Sequence, residues 1–283
     1  MRFFFPKPAL GRTSRRAGLA GFTLIEVLVS CAVLALILVL TSQFIAGTTT
    51  IIQNDNRRMD AFTAARAVLD RLSLDWDNRV GTSSATPTYD KIAGDDALSF
   101  HSRTPAYEGG DRSVPSHVGY RMRPHPVHGR VLERAAMGEN WYAGTAPVAF
   151  PPTPAVAIAE TDFSRTGQGI VRFELGFLVV NTGTGLWNWR ITPPAPGSAE
   201  TLQAIGAFLV SIDSVSIQKI PATQRTGLLD ALAAQFPNSE DQKNPAEVWE
   251  ALAANAPALA LAANVPLPVA QSVRVFQRLL PIE

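Results

Sequence analysis

The stretch "GLAGFTLIEVLVSCAVLALILVL", Gly18–Leu40, holds a single acid, Glu26, near the start of an otherwise apolar run. An ionised side chain at membrane depth is costly unless it snorkels to the interface or meets a partner, so a carboxylate there points to a role beyond anchoring. Working outward, the run from Phe22 to Ala46 rises about 1.5 Å per helical residue, enough to cross a hydrocarbon core of about 30 Å. Residues 1–20 carry Arg2, Lys7, Arg12, Arg15 and Arg16 and no acid. Positive charge ahead of a span keeps its start in the cytoplasm, so the chain beyond Ala46 is expected on the far side.

The whole sequence sets the frame for that segment. Its 283 residues suit one membrane segment plus one sizeable domain, or two small domains. With Lys+Arg 25 against Asp+Glu 24, no global field selects nucleic acid or an anionic surface, and partners must be sought locally. An apolar share of 46% with 17% charged excludes general disorder, while 21 Pro and 20 Gly predict many turns and short strands rather than a helical bundle. The one cysteine, Cys31, sits inside the apolar run, so the chain forms no internal disulfide.

Four export labels compete for the N-terminus. An ordinary signal peptide has a shorter apolar core and a small-residue cleavage site, and "TSQFIAGTTT" offers no good one. "SRRAGLA" holds the paired arginines of a twin-arginine signal, a pair common in basic leaders. "LVSC" places small residues before Cys31 as in a lipidation site, but strongly apolar "AVLALILVL" follows it where a lipidated chain turns polar. The fourth label accounts for the glutamate. A basic leader, Gly21, Phe22, "TLIE" and an uninterrupted span together resemble the class III signal of type IV prepilins and type II secretion pseudopilins. That resemblance implies cleavage by prepilin peptidase between Gly21 and Phe22 and methylation of the new Phe22 amine. It also implies that Glu26 pairs with the cationic amine of a neighbouring subunit during assembly. The implied partners are prepilin peptidase, other pilin or pseudopilin subunits, the inner-membrane assembly platform and membrane lipid. The implied location is the bacterial inner membrane, single-pass, with the N-terminus cytoplasmic and the head periplasmic.

Past the span, Met59, Phe62, Leu69, Leu72, Trp76 and Val80 recur at helical steps and predict one apolar stripe. Arg57, Arg58, Asp60, Arg66, Asp70 and Asp75 are expected on the opposite face, and Gly81 as the stop. "GTTTIIQNDN" between the two parts weakens helix propensity and predicts a bend or partial melt. From Ala97 the period shortens: "ALSFHS", "HVGYRMR", "GRVLERA", "IVRFELGFLVV", "LWNWRI", "FLVSIDSVSIQKI" and "SVRVFQRLLPI" read as strands. "NTGTG", Asn181–Gly185, reads as a hairpin turn. "GTAPVAFPPTPAVAIAE" is too proline-rich for a central strand and is expected as an extended loop. A helical insert is expected at about 226–264, its second helix capped by Asn244 with Pro245 at the first position. The expectation is an α+β, pilin-like chain: leader 1–21, membrane part 22–46, amphipathic helix 47–80, and a mainly antiparallel head 81–283 that the helix covers on one face. "ARAVLDRLSLDW", and more loosely "VGYRMRPHPVHGRVLERA" and "VRFELGFLVVNTGTGLWNW", resemble the minor pseudopilin J family of type II secretion. The whole is also similar to the Verru_Chthon cassette protein C family.

The head offers little chemistry. "HPVH", His125 to His128, has a metal-like spacing, but Pro124 and Pro126 oppose a helix and no Cys or nearby acid completes a ligand set. There is no G-x-S-x-G elbow. Asp95, Asp96, Glu108 and Asp111 lack the spacing of a calcium loop. No cofactor, metal site or catalytic residue is assigned. Arg103, Arg112, Arg121, Arg123, Arg130 and Arg134, interleaved with Tyr107, Tyr120 and Met122, are expected as ordinary solvent-facing residues of alternating strands. Arg121, Arg123 and Arg130 are the candidates for an anion site should the stretch grip nucleic acid or a surface ligand. The first reading is therefore a structural assembly protein, not an enzyme. The alternatives are a minor pilin whose head binds DNA or a surface ligand and, third, a membrane-anchored envelope enzyme.

Overall fold

Helix α1 (Leu24–Asp77) is continuous, and the chain divides into two compact units, Met1–Gln53 and Asn54–Glu283. The computed structural model describes residues 23–80, 87–91, 95–105, 116–126, 129–138, 162–167, 169–234 and 244–282. The leader with Gly21 and Phe22, Gly81, the proline-rich stretch 144–160, and Tyr107, Glu108, Asp111, Arg112 and His128 lie outside them.

In the first unit, Leu24–Gln53 is a 30-residue apolar helix with none of its span buried. A helix apolar on every side needs a large core or lipid around it, and this one, at roughly 45 Å, is long enough to cross a bilayer. Four of its hydroxyls are satisfied within the helix. Ser30, Thr41, Thr48 and Thr49 donate to the carbonyls of Glu26, Ile37, Phe44 and Ile45 at 2.7 to 2.9 Å. These four hydroxyls therefore need no water. The stretch "GTTTIIQ", expected to bend or melt, is helical, and its Thr48 and Thr49 lean on their own helix.

The second unit begins with the remaining turns of α1. Its buried stripe is Ala65, Val68, Leu69, Leu72 and Trp76. Met59 and Phe62, expected in that stripe, are 66% and 51% exposed. Asp75, expected on the polar face, is fully buried. At 100° per residue it lies within about 60° of Leu72, inside the buried arc.

Strands β1 (Thr88–Asp90), β2 (Ala97–Ser102), β3 (Ser116–His125), β4 (Gly129–Gly138) and β5 (Ser164–Gly167) form a five-stranded sheet in that order. Strands β6 (Ile170–Asn181), β7 (Trp187–Arg190), β8 (Glu200–Ser211) and β9 (Arg274–Pro281) form a second sheet, ordered β7-β6-β8-β9. All pairings among the described strands are antiparallel, as expected, but they make two sheets rather than one. The predicted turn "NTGTG" joins β6 to β7: Asn181 Oδ1 accepts from the amides of Gly183 and Thr184, and Gly185 takes a positive φ of 71°.

The central strands of the second sheet, β6 and β8, are buried on both faces over most of their length. Phe173, Leu175, Phe177, Ile205, Ala207 and Leu209 join a core with α1 and the first sheet. On its other face, Phe208 and Val210 pack with the helical insert around Trp249, Leu228, Leu232 and Leu259. At about 1.5–3 kcal/mol for each large apolar side chain buried, these two cores supply the main stabilisation of the unit.

The helical region is wider than expected. It runs through α2 (Ser214–Lys219), α3 (Ala222–Ala234), α4 (Pro245–Ala254), α5 (Ala256–Ala263) and α6 (Leu267–Ala270). "FLVSIDSVSIQKI" thus ends β8 and then becomes α2. Asp213 accepts from the amides of Val215 and Ser216, and that cap overrides the strand propensity of the valine and isoleucine around it. Asn244 caps α4 as predicted, accepting from the Ala246 amide, with Pro245 following.

Candidate functional site

In the first unit, the chemistry lies at the opening turn of α1. Thr23 precedes the helix, and both its amide and its hydroxyl donate to Glu26 Oε2 at 2.9 Å. The Glu26 amide returns a bond to Thr23 Oγ1 at 3.4 Å. This is a capping box, in which the residue before the helix and the one three later satisfy each other's donors. Both contacts to the carboxylate fall on Oε2, and among the described residues none reaches Oε1. Thr23, the neighbour that caps Glu26, is not among the residues expected from the sequence. Its signal is the T-x-x-E spacing within "TLIE" itself, ahead of an apolar run. Gly21 and Phe22, the expected processing pair, lie outside the described residues.

The basic stretch of the second unit is largely matched by acids. Arg121 donates from Nε and Nη2 to Glu133 Oε2, both at 3.1 Å, and its guanidinium lies 3.7 Å over the Phe163 ring. Arg130 pairs with Asp95. Arg123 is exposed on β3, on the same face as Arg121. His101 and His117, directly opposite on β2 and β3, are buried and stacked with ring centroids 5.1 Å apart.

Arg134, expected as solvent-facing, is buried instead. Its Nε lies 2.7 Å from Asp75 Oδ2 and its Nη2 3.0 Å from Oδ1, a two-pronged pair joining β4 to α1. The Tyr120 hydroxyl donates to the same Asp75 Oδ2 at 2.6 Å. Burial, and then the Asp75 charge, push the Tyr120 phenol well above its ordinary range, so it remains a donor. Arg71 Nε approaches Asp75 Oδ1 at 3.3 Å from one turn earlier on α1. A buried carboxylate so enclosed is a structural tie that fixes how α1 meets the first sheet.

Residues 18–42 match the family model of the prokaryotic N-terminal methylation motif. No curated protein and no solved structure matches the chain. The motif implies processing by prepilin peptidase and assembly with other pilin subunits, and with the apolar helix it suggests membrane anchoring. A long apolar N-terminal helix, antiparallel sheets and that motif together support a type IV pilin-like protein, a structural pilin rather than an enzyme.

Proposed function

We propose that the chain is a prepilin-type structural protein, a minor pseudopilin, incorporated into a type II secretion or type IV pilus-like filament. Prepilin peptidase cuts between Gly21 and Phe22, and the freed Phe22 amine is methylated. Glu26 then pairs with the cationic amine of the neighbouring subunit, which relieves two charges that are each costly at membrane depth and fixes the axial register. The observation that carries this reading is the Thr23–Glu26 capping box inside the matched segment. It holds the carboxylate at the helix mouth through Oε2 and, among the described residues, leaves Oε1 for an outside partner. A minor role is supported by the bulk of the head, whose helices from α2 to α6 would be awkward to repeat along a tightly packed filament.

The Glu26→Ala variant tests the pairing. It is expected to enter the membrane fraction at the wild-type level and to be largely lost from the filament fraction. Recovery in filaments at the wild-type level would refute the role of Glu26.

A further inference from the structure

At one junction of the second unit three buried charged side chains, Asp96, Arg172 and Glu174, gather with Lys91. Asp96, just before β2, is buried and is tied to β6 through its backbone and side chain. Its amide donates to the Phe173 carbonyl at 3.1 Å, and its Oδ2 accepts from the Leu175 amide at 2.7 Å. Lys91 Nζ donates to the same Oδ2, to the Leu175 carbonyl at 2.8 Å and to Glu174 Oε2 at 3.4 Å. Arg172 Nη2 donates to Glu174 Oε1 at 2.6 Å, and the Arg172 guanidinium lies 5.3 Å from the centre of the Trp249 ring of α4. Asp96 Oδ2 and Glu174 Oε2 thus accept from the same Lys91 Nζ, which makes the two carboxyls neighbours across one ammonium. Among the described residues, Asp96 Oδ1 is buried without a hydrogen-bond partner.

Two buried carboxylates on one ammonium repel each other, and neither has a proton to donate to the other. One proton changes both facts: an O–H forms on Asp96 and donates to Glu174, the pair falls from two negative charges to one, and the proton comes from solvent. We propose that Asp96 and Glu174 are a carboxyl pair that binds a single proton, and that this proton sets how firmly the start of β2 is held to β6. The charged groups around the pair are Lys91 from the β1–β2 connection and Arg172 from β6. Behind them stand Arg130 of β4 with its partner Asp95, and Asp230 of α3. Burial first, and then the Glu174 charge, push the Asp96 carboxyl up to about 8 against the pull of Lys91.

The sign of the effect follows from proton counting. An unfolded Asp96 releases its proton near 3.8. Between that pH and about 8 the folded unit holds a proton that the unfolded chain has lost. Stability from this site is therefore full in acid and declines as pH rises toward 8, the reverse of an ordinary salt-bridged aspartate.

The test is thermal unfolding of the detergent-solubilised full chain at pH 6 and pH 9, alongside Asp96→Asn. Wild type is expected to melt several degrees higher at pH 6, and Asp96→Asn, permanently neutral at that position, to lose most of that difference. Equal wild-type midpoints, or a variant that keeps the full difference, would overturn the proposal. Should Asp96→Asn fail to fold, the carboxyl carbon resonance of Asp96 in the wild-type chain decides. Titration near 8 supports the shared proton, and titration in the ordinary aspartate range overturns it.

Discussion

Glu26 and Asp75 are both carboxylates on α1, and the molecule treats them in opposite ways. Glu26 is exposed and held by the residue three positions before it. Asp75 is fully buried and held by Tyr120 and Arg134, residues 45 and 59 positions away. A carboxylate held by its own turn keeps that bond whatever happens around it and can still accept a second partner. One enclosed by distant strands can change partners only if the head opens. The contrast separates a carboxylate that can take a further partner from one committed to the fold.

The largest effect expected from breaking this comparison is at Arg134. Arg134→Ala leaves Asp75 buried with only Tyr120 and the more exposed Arg71, and removing one partner of a buried pair costs about 3–5 kcal/mol. Against a total of about 5–15 kcal/mol for a domain, that should lower the denaturant midpoint markedly. A shift within error of zero would show that the pair contributes little. A smaller effect is expected from Thr23→Val, which removes the cap without touching the head. The Glu26 amide should exchange hydrogen about fivefold faster, as for a lost N-cap, with the head's midpoint unchanged. Unaltered exchange would mean that the box is not formed in the membrane. The smallest effect on folding belongs to Glu26→Ala, whose head should unfold at the wild-type midpoint even as filament recovery falls.

Much of the fold is legible locally. The β-branched and aromatic residues of "ALSFHS", "HVGYRMR" and "IVRFELGFLVV", bounded by turn residues, locate β2, β3 and β6, and Asn244-Pro245 marks the start of α4. What local pattern cannot give is the choice of distant partner. Two antiparallel sheets and one share the same strand signals, and the division lies in which distant strands pair with which. Arg134 reads as a solvent-facing strand residue because its acid lies 59 positions earlier, on a helix. The start of α2 was obscured for a different reason: one side chain, Asp213, outweighs the β-branched residues that follow it. At the N-terminus the position of Glu26 was legible, and so was its partner Thr23, since a T-x-x-E spacing before an apolar run is itself a helix-start signal.

The central claim, that the apolar helix is delivered as a processed prepilin with Glu26 at its mouth, is tested most directly at the mature N-terminus. Mass spectrometry of the chain from cells with and without prepilin peptidase should find a chain beginning at N-methylated Phe22 only where the peptidase is present. A chain beginning after Ala46, or one lipidated at Cys31, would contradict it.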